Sequence, residues 1–162
     1  MKFAHSYALK DIASLIDCDY VGDPLFEVLG MNEIHIVSAG DIVFVDHPKY
    51  YEKALNSKAT VIIINKTVPC PKGKALIISD DPFRDFNTLT THFKPFHPSS
   101  QAISDTSTIG NKTIIQPNCF IGNHVQIGEN CIIHANVSIF DDTIIGDNVV
   151  IQSGSVLGAN AF

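Results

Sequence analysis

The feature that most constrains what this chain can fold into is a six-residue apolar period. From Ile103 onward every sixth residue is aliphatic: Ile103, Ile109, Ile115, Ile121, Ile127, Ile133, Ile139, Ile145, Ile151 and Leu157. Strands repeat every two residues and helices about every 3.6, so neither produces this order. An unbroken hexapeptide period is the signature of a parallel β-helix. Counting the aliphatic residue as position one, position five is always small or β-branched, from Ser107 and Thr113 through Cys119, Val125, Cys131 and Val137 to Ala161. Position two is glycine at Gly110, Gly122, Gly128, Gly146 and Gly158, and position four is asparagine at Asn118, Asn130, Asn136, Asn148 and Asn160. A sharp corner in every repeat accounts for both, because Gly and Asn tolerate the left-handed backbone region that corners need.

Three six-residue sides close one triangular coil, so residues three repeats apart stack. Ile103, Ile121, Ile139 and Leu157 form one ladder, Ile109, Ile127 and Ile145 a second, and Ile115, Ile133 and Ile151 a third. Each buried Ile contributes about 1.5–3 kcal/mol of transfer free energy. Ordering the backbone costs roughly 1–2 kcal/mol per residue. A lone coil therefore cannot stand, and neighbouring coils must cover it. On one side position two is Gln116, His134 and Gln152. This polar file reads either as a corner row facing solvent or another subunit, or as a ligand groove.

Composition narrows the function classes. The chain has 162 residues, 45% hydrophobic and 17% charged, which suits a folded core. The net charge is −6, and neither half carries a basic stripe of the kind that binds nucleic acid. Cys18, Cys70, Cys119 and Cys131 form no CxxC pair, the start MKFAHSYALKD holds no apolar signal region, and no apolar run reaches membrane-span length. These features read as reduced thiols in a cytoplasmic protein with no transmembrane segment. No metal-ligand or cofactor motif stands out.

Residues 1–98 read as an α+β domain and residues 99–162 as the β-helix of about three coils, with the boundary in the Pro- and Ser-containing stretch Lys94–Gln101. Leu9, Ile12, Ala13 and Ile16 predict a helix over Ala8–Asp17, with Ser6 as a possible N-cap. Strand-like runs lie at Tyr20–Gly22, Phe26–Leu29, Glu33–Val37, Ile42–Val45, Thr60–Ile64 and Ala75–Ile78. His47-Pro48 ends a strand. Helices are predicted over Lys49–Ser57 and over Pro82–Phe93, the latter capped by Asp80 or Asp81.

The two parts joined resemble a known family. Tyr20-Val21-Gly22-Asp23, Ala39-Gly40-Asp41-Ile42-Val43-Phe44 and Pro48-Lys49-Tyr50 match, in order and spacing, the uridine-binding domain of the UDP-3-O-acylglucosamine N-acyltransferases of lipid A biosynthesis. Ser153-Gly154-Ser155-Val156-Leu157-Gly158-Ala159 resembles that family's repeat before an internal loop. The resemblance implies a left-handed β-helix, a homotrimer with active sites between subunits, and transfer of a 3-hydroxyacyl chain. The donor is acyl carrier protein with its phosphopantetheine, no separate cofactor is used, and the acceptor is the 2-amino group of a UDP-3-O-acylglucosamine.

Carried over by residue, Phe44 and Tyr50 correspond to the aromatic pair that sandwiches the uracil. On their own, Phe44 would end a core strand and Tyr50 start a helix; the Phe-x-x-x-Pro-Lys-Tyr context assigns them to the base. His47 stands where the family usually has Asn and could donate to a uracil carbonyl, while Lys49 reads as a solvated surface charge. The family's general base is a histidine in a later coil that takes a proton from the attacking amine. No position here matches it: His124 and His134 lie in early coils. The expectation is thus a truncated protein or expressed fragment, with no catalytic residue, weak uridine binding, and association through its last coil. Two other classes remain open on the sequence, a non-catalytic nucleotide-sugar-binding or trimerising module and another hexapeptide-repeat acetyltransferase.

Overall fold

The computed structural model describes residues 1–159; Asn160, Ala161 and Phe162 of the repeat pattern lie outside the described residues. Contacts divide the chain into two units, the first Met1–Phe96 and the second from His97 onward.

The first unit is built on a six-stranded mixed sheet. Its strands are β1 (Lys2–Ala8), β2 (Asp19–Val21), β3 (Glu27–Met31), β4 (Asp41–Val45), β5 (Val61–Ile64) and β6 (Ala75–Ile78), in the order β1-β3-β4-β5-β6-β2. The four central strands run parallel and the two edge strands antiparallel to them. Parallel strands buried on both faces must be continuously apolar, which is why β5 reads Val-Ile-Ile-Ile with every side chain inaccessible. Alternation then feeds two cores. Ile42, Val61, Ile63, Ala75 and Ile77 pack on one face with Leu9 and Ile12 of α1 (Leu9–Leu15) and Leu89 of α3 (Pro82–Phe93). Val43, Val45, Ile62, Ile64 and Leu76 pack on the other with Ala54 of α2 (Tyr51–Leu55).

Several expectations needed correction. Ser6 does not cap a helix; it lies inside β1, and α1 starts after Ala8 without a side-chain cap. The strand β1 escaped notice because, as an edge strand, it exposes Lys2 and Ser6 and turns only Phe3 and Tyr7 toward the core. Glu33–Val37 is not a strand. β3 and β4 are parallel, so the chain between them has to travel back along the sheet. The Ile36 N–H turns back onto Glu33 O at 2.9 Å, which leaves Ile36 61% exposed. The predicted Lys49–Ser57 helix is split into a 3-10 turn, Pro48–Tyr50, and the shorter α2. The helix Pro82–Phe93 forms as expected, with Asp81 accepting from the Arg84 N–H at 3.0 Å.

The second unit is the hexapeptide β-helix. Nine two-residue strands follow: β7 (Thr108–Ile109), β8 (Ile114–Ile115), β9 (Phe120–Ile121), β10 (Gln126–Ile127), β11 (Ile132–Ile133), β12 (Ser138–Ile139), β13 (Ile144–Ile145), β14 (Val150–Ile151) and β15 (Val156–Leu157). They form three parallel sheets, β13-β10-β7, β14-β11-β8 and β15-β12-β9. The ladders are those the period predicts: Ile109, Ile127 and Ile145 stand in register, as do Ile115, Ile133 and Ile151, and Ile121, Ile139 and Leu157. Cys119, Val125, Cys131 and Val137 fill the small inward positions.

From Lys112 to Gly154, position four carries the left-handed residue at each corner, including Asn118 (φ 63°), Asn130 (φ 55°) and Asn136 (φ 61°). Of the glycines at position two, Gly158 (φ 71°) has the expected left-handed backbone, whereas Gly110, Gly122, Gly128 and Gly146 do not and need another reason. A Cβ on Gly110 would run into the Gly128 carbonyl of the next coil, and one on Gly128 into the Asp147 carboxylate. That carboxylate accepts the Glu129 N–H at 2.8 Å, and Asp141 accepts the Asn123 N–H at 2.8 Å, so aspartates one coil on hold these two corners.

Ile127 is 4% exposed in the middle of its ladder, while Gln126 beside it faces out. Ile127→Asp buries an unpaired charge and is expected to lower the melting temperature of the repeat by roughly 15 °C or more. Gln126→Asp should change it by no more than about 2 °C. Calorimetry checks both, and an Ile127→Asp variant that melts like the parent contradicts the ladder.

Candidate functional site

Loops at the carboxyl ends of parallel strands are where such sheets place ligands. Here all four carry polar residues: Asn32 and Glu33 after β3, Asp46–Tyr50 after β4, Asn65 after β5, and Ser79–Asp81 after β6. The stretch after β4 is the one that the sequence singles out.

The turn after β4 is built by local chemistry. Pro48 occupies the first position of the 3-10 turn, where a missing N–H costs nothing. His47 is its N-cap, with Nδ1 accepting the Lys49 N–H at 3.2 Å. The Tyr50 N–H closes the turn onto His47 O at 2.9 Å. The Tyr50 ring is 48% exposed, its centroid lies 6.0 Å from that of His47, and the Lys49 ammonium sits 5.5 Å above it. His47, Lys49 and Tyr50 are thus brought together, with Lys49 engaged in a cation–π contact rather than simply solvated. Lys49 also lines a groove of about 530 Å³ with Ile34, Glu52, Lys53, Asn56 and Ser57.

Phe44, one residue before the end of β4, is half-buried on the α3 face of the sheet. Its ring meets Phe83 at 5.7 Å and Phe86 at 5.0 Å, both from α3. It is therefore partly a core residue and partly an accessible aromatic edge. A groove of about 740 Å³ continues along α3 from Phe83 through Asn87 to Thr91 and His92.

Two residues that sequence reasoning missed hold the turn in place. The Asn65 amide donates to Asp46 O at 2.7 Å, and its carbonyl accepts the Tyr51 hydroxyl at 2.5 Å. This strut ties the base of the His47–Tyr50 turn to the neighbouring strand. Nothing in the sequence marks Asn65, because its partners come from residues 14 and 19 positions away.

The other candidate groups are structurally occupied. Cys18 donates to Asp85, and burial, reinforced by that carboxylate, pushes its thiol up to about 11, so it is no nucleophile near neutral pH. Asp85 is the hub of that cluster: burial would raise its pKa, but the bonds from Arg84, Ser79 and Cys18 outweigh it and hold the carboxyl below its usual range. In the polar file, Gln116 accepts the Ala135 N–H at 3.1 Å and lies 3.3 Å from His134 Nδ1, a coil-to-coil link. His124 occupies a left-handed corner (φ 56°).

Comparisons with known proteins point the same way. Residues 26–92 match the family model described as UDP-3-O-(3-hydroxymyristoyl) glucosamine N-acyltransferase, LpxD, and residues 106–141 match the bacterial transferase hexapeptide repeat. The chain is 30% identical over 120 residues to a UDP-3-O-acylglucosamine N-acyltransferase of Protochlamydia amoebophila, covering 68% of this chain and 34% of that protein. It is 33% identical over 131 residues to one from Lawsonia intracellularis, covering 69% and 38%. The chain therefore spans about a third of the length of the curated relatives it matches.

Asn65→Leu is expected to leave β5 protected from hydrogen exchange while raising exchange at the Lys49 and Tyr50 amides about tenfold, the effect of losing roughly one hydrogen bond. Unchanged exchange at those amides contradicts the strut. Through its mixed-sheet unit and its hexapeptide coils, the chain matches the UDP-3-O-acylglucosamine N-acyltransferase family.

Proposed function

We infer that the first unit holds the uridine of a UDP-sugar at the turn after β4, and that the chain serves the N-acylation of UDP-3-O-acylglucosamine in lipid A biosynthesis. The observation that carries this is the His47–Tyr50 turn, a preorganised aromatic and polar corner at the carboxyl edge of a parallel sheet. Tyr50 offers an open ring for stacking, Phe44 a second aromatic edge, and His47 a polar group between them in sequence. A pyrimidine is recognised by this combination because stacking supplies affinity and edge hydrogen bonds supply choice.

In the complete reaction the 2-amino nitrogen attacks the thioester carbonyl of a 3-hydroxyacyl chain on acyl carrier protein. The C–N bond forms, the C–S bond breaks, and the amine proton leaves to a base as the phosphopantetheine thiol departs. The residues described here bind and orient the nucleotide rather than move that proton.

The homotrimer fits the outer surface of the repeat. Ile114, Ile132 and Val150 stand in register on β8, β11 and β14 and form an exposed apolar file in the single chain. Such a file is the kind of surface that subunit association covers. A cytoplasmic location fits four free cysteines, and among the described residues no helix is long and apolar enough to cross a membrane.

Calorimetry with UDP-N-acetylglucosamine tests the reading. Tyr50→Ala, at an exposed ring, is expected to weaken binding about tenfold, as loss of one stacking partner does, without lowering the melting temperature. Phe44→Ala should weaken it as well and also destabilise the α3 face. No binding by the parent chain, or binding indifferent to both changes, contradicts it.

A further inference from the structure

The loop after β6 brings a third aromatic residue to the edge of the sheet where β4 ends. Its anchors are polar and tight. Ser79, 3% exposed, donates to the Asp85 carboxylate at 2.6 Å, and its Oγ accepts the Asp81 N–H at 3.0 Å. Arg84 spans two carboxylates, Asp85 through Nε at 2.9 Å and Asp80 at 2.6 Å. Asp81 caps α3, and Pro82 is buried in its first turn. The backbone on both sides of Phe83 is therefore held. The Phe83 ring itself is 38% exposed. Its centroid lies 5.7 Å from that of Phe44 at an interplanar angle of 60°, an edge-on arrangement. Phe86, one turn further on, meets Phe44 at 5.0 Å and packs against the core of that face. Phe86 thus fastens α3 to the sheet, while Phe83 meets the Phe44 ring from a more open place.

We propose that Phe83 is a positioning residue of the nucleotide site: its ring, held at the first turn of α3, fixes the plane in which Phe44 is offered to the base. Phe83 and Phe86 stand three residues apart on one helix, so both approach Phe44 from α3. The outer torsion of a phenylalanine is otherwise broad. Two rings on one side leave Phe44 a single orientation, and a stacking partner already in place loses less freedom when a ligand arrives. Phe83 acts through Phe44 rather than on the base. This rests on the reading of Phe44 and Tyr50 as the nucleotide site and adds to it a residue from a different loop.

The substitutions separate the ring from its bulk. Leucine keeps the apolar volume and removes the ring, whereas tyrosine keeps the ring. UDP is titrated calorimetrically against the chain, Phe83→Leu and Phe83→Tyr. Phe83→Leu is expected to weaken UDP binding about fivefold, the share that an aromatic pair adds beyond its buried area, and Phe83→Tyr to bind like the parent. At this partly exposed position both should melt within about 2 °C of the parent. Thr91→Ala, two turns along α3, controls for general changes to that helix and leaves affinity as it was. Phe83→Leu is then repeated in a Phe44→Leu chain. A residue that acts only through Phe44 has no further effect once the Phe44 ring is gone.

A Phe83→Tyr variant that fails like Phe83→Leu overturns the proposal, as does a Phe83→Leu loss of the same size with and without the Phe44 ring. The difference between Leu and Tyr at position 83 decides alone where Phe44→Leu binds too weakly to titrate. If Phe83→Leu binds UDP like the parent while Tyr50→Ala weakens it, this proposal falls and the nucleotide site stands. If the parent does not bind UDP, both fall.

Discussion

Each coil of the repeat depends on the coil beside it. A two-residue strand has no stability of its own, and its N–H and C=O groups find partners only in the next turn of the solenoid. The Gln126 N–H reaches Thr143 O and the Gly128 N–H reaches Ile145 O, both at 2.9 Å, while Thr108 and Gly110 donate in the same way to Val125 and Ile127. The other sequence rules follow from this contact. Coils that close leave no room for a Cβ at Gly110 or Gly128. The chain must turn at every sixth residue, so position four takes Asn, Asp or another residue held at positive φ. The inward space between stacked coils takes one large aliphatic and one small residue, which explains why Cys119 and Cys131 are buried packing groups with local carbonyl partners.

The first unit answers a different constraint. Four parallel strands need cover on both faces, and α1 and α3 on one side and α2 on the other provide it. Parallel strands also gather their outgoing loops at one edge. The strands β4, β5 and β6 themselves offer no exposed polar groups; the turn after β4, where we infer the nucleotide site, leaves the sheet with a histidine cap and an exposed tyrosine. Asn65, just past the adjacent strand, ties the base of that turn to β5. On the inferred function, scaffold and site are distinct parts, and the one feature that dominates the sequence, the hexapeptide ladder, is scaffold.

What was legible in the sequence follows from how local each cause is. The ladder could be read residue by residue, since its period repeats the same environment. Pro82–Phe93 could be read because its cap, its proline and its apolar face are all local. Ser6 misled because a hydroxyl before an apolar run looks like a cap, while the pairing of β1 with β3 that decides its conformation lies more than twenty residues away. Glu33–Val37 misled because its isoleucines look strand-like, although parallel topology spends that segment on the return. Phe44, His47 and Tyr50 were singled out by resemblance rather than by pattern. The Asn65 strut came only from geometry, since it depends on which groups lie within hydrogen-bond reach.

The central claim is that nucleotide chemistry belongs to the turn after β4 and not to the repeat. The most direct measurement is an amide chemical-shift map of the full chain during titration with UDP. The account predicts saturable shifts concentrated at Phe44–Tyr51 and Asn65, with the Gln116, His134 and Gln152 amides unmoved. Shifts centred on that polar file, with the His47–Tyr50 turn silent, would contradict it.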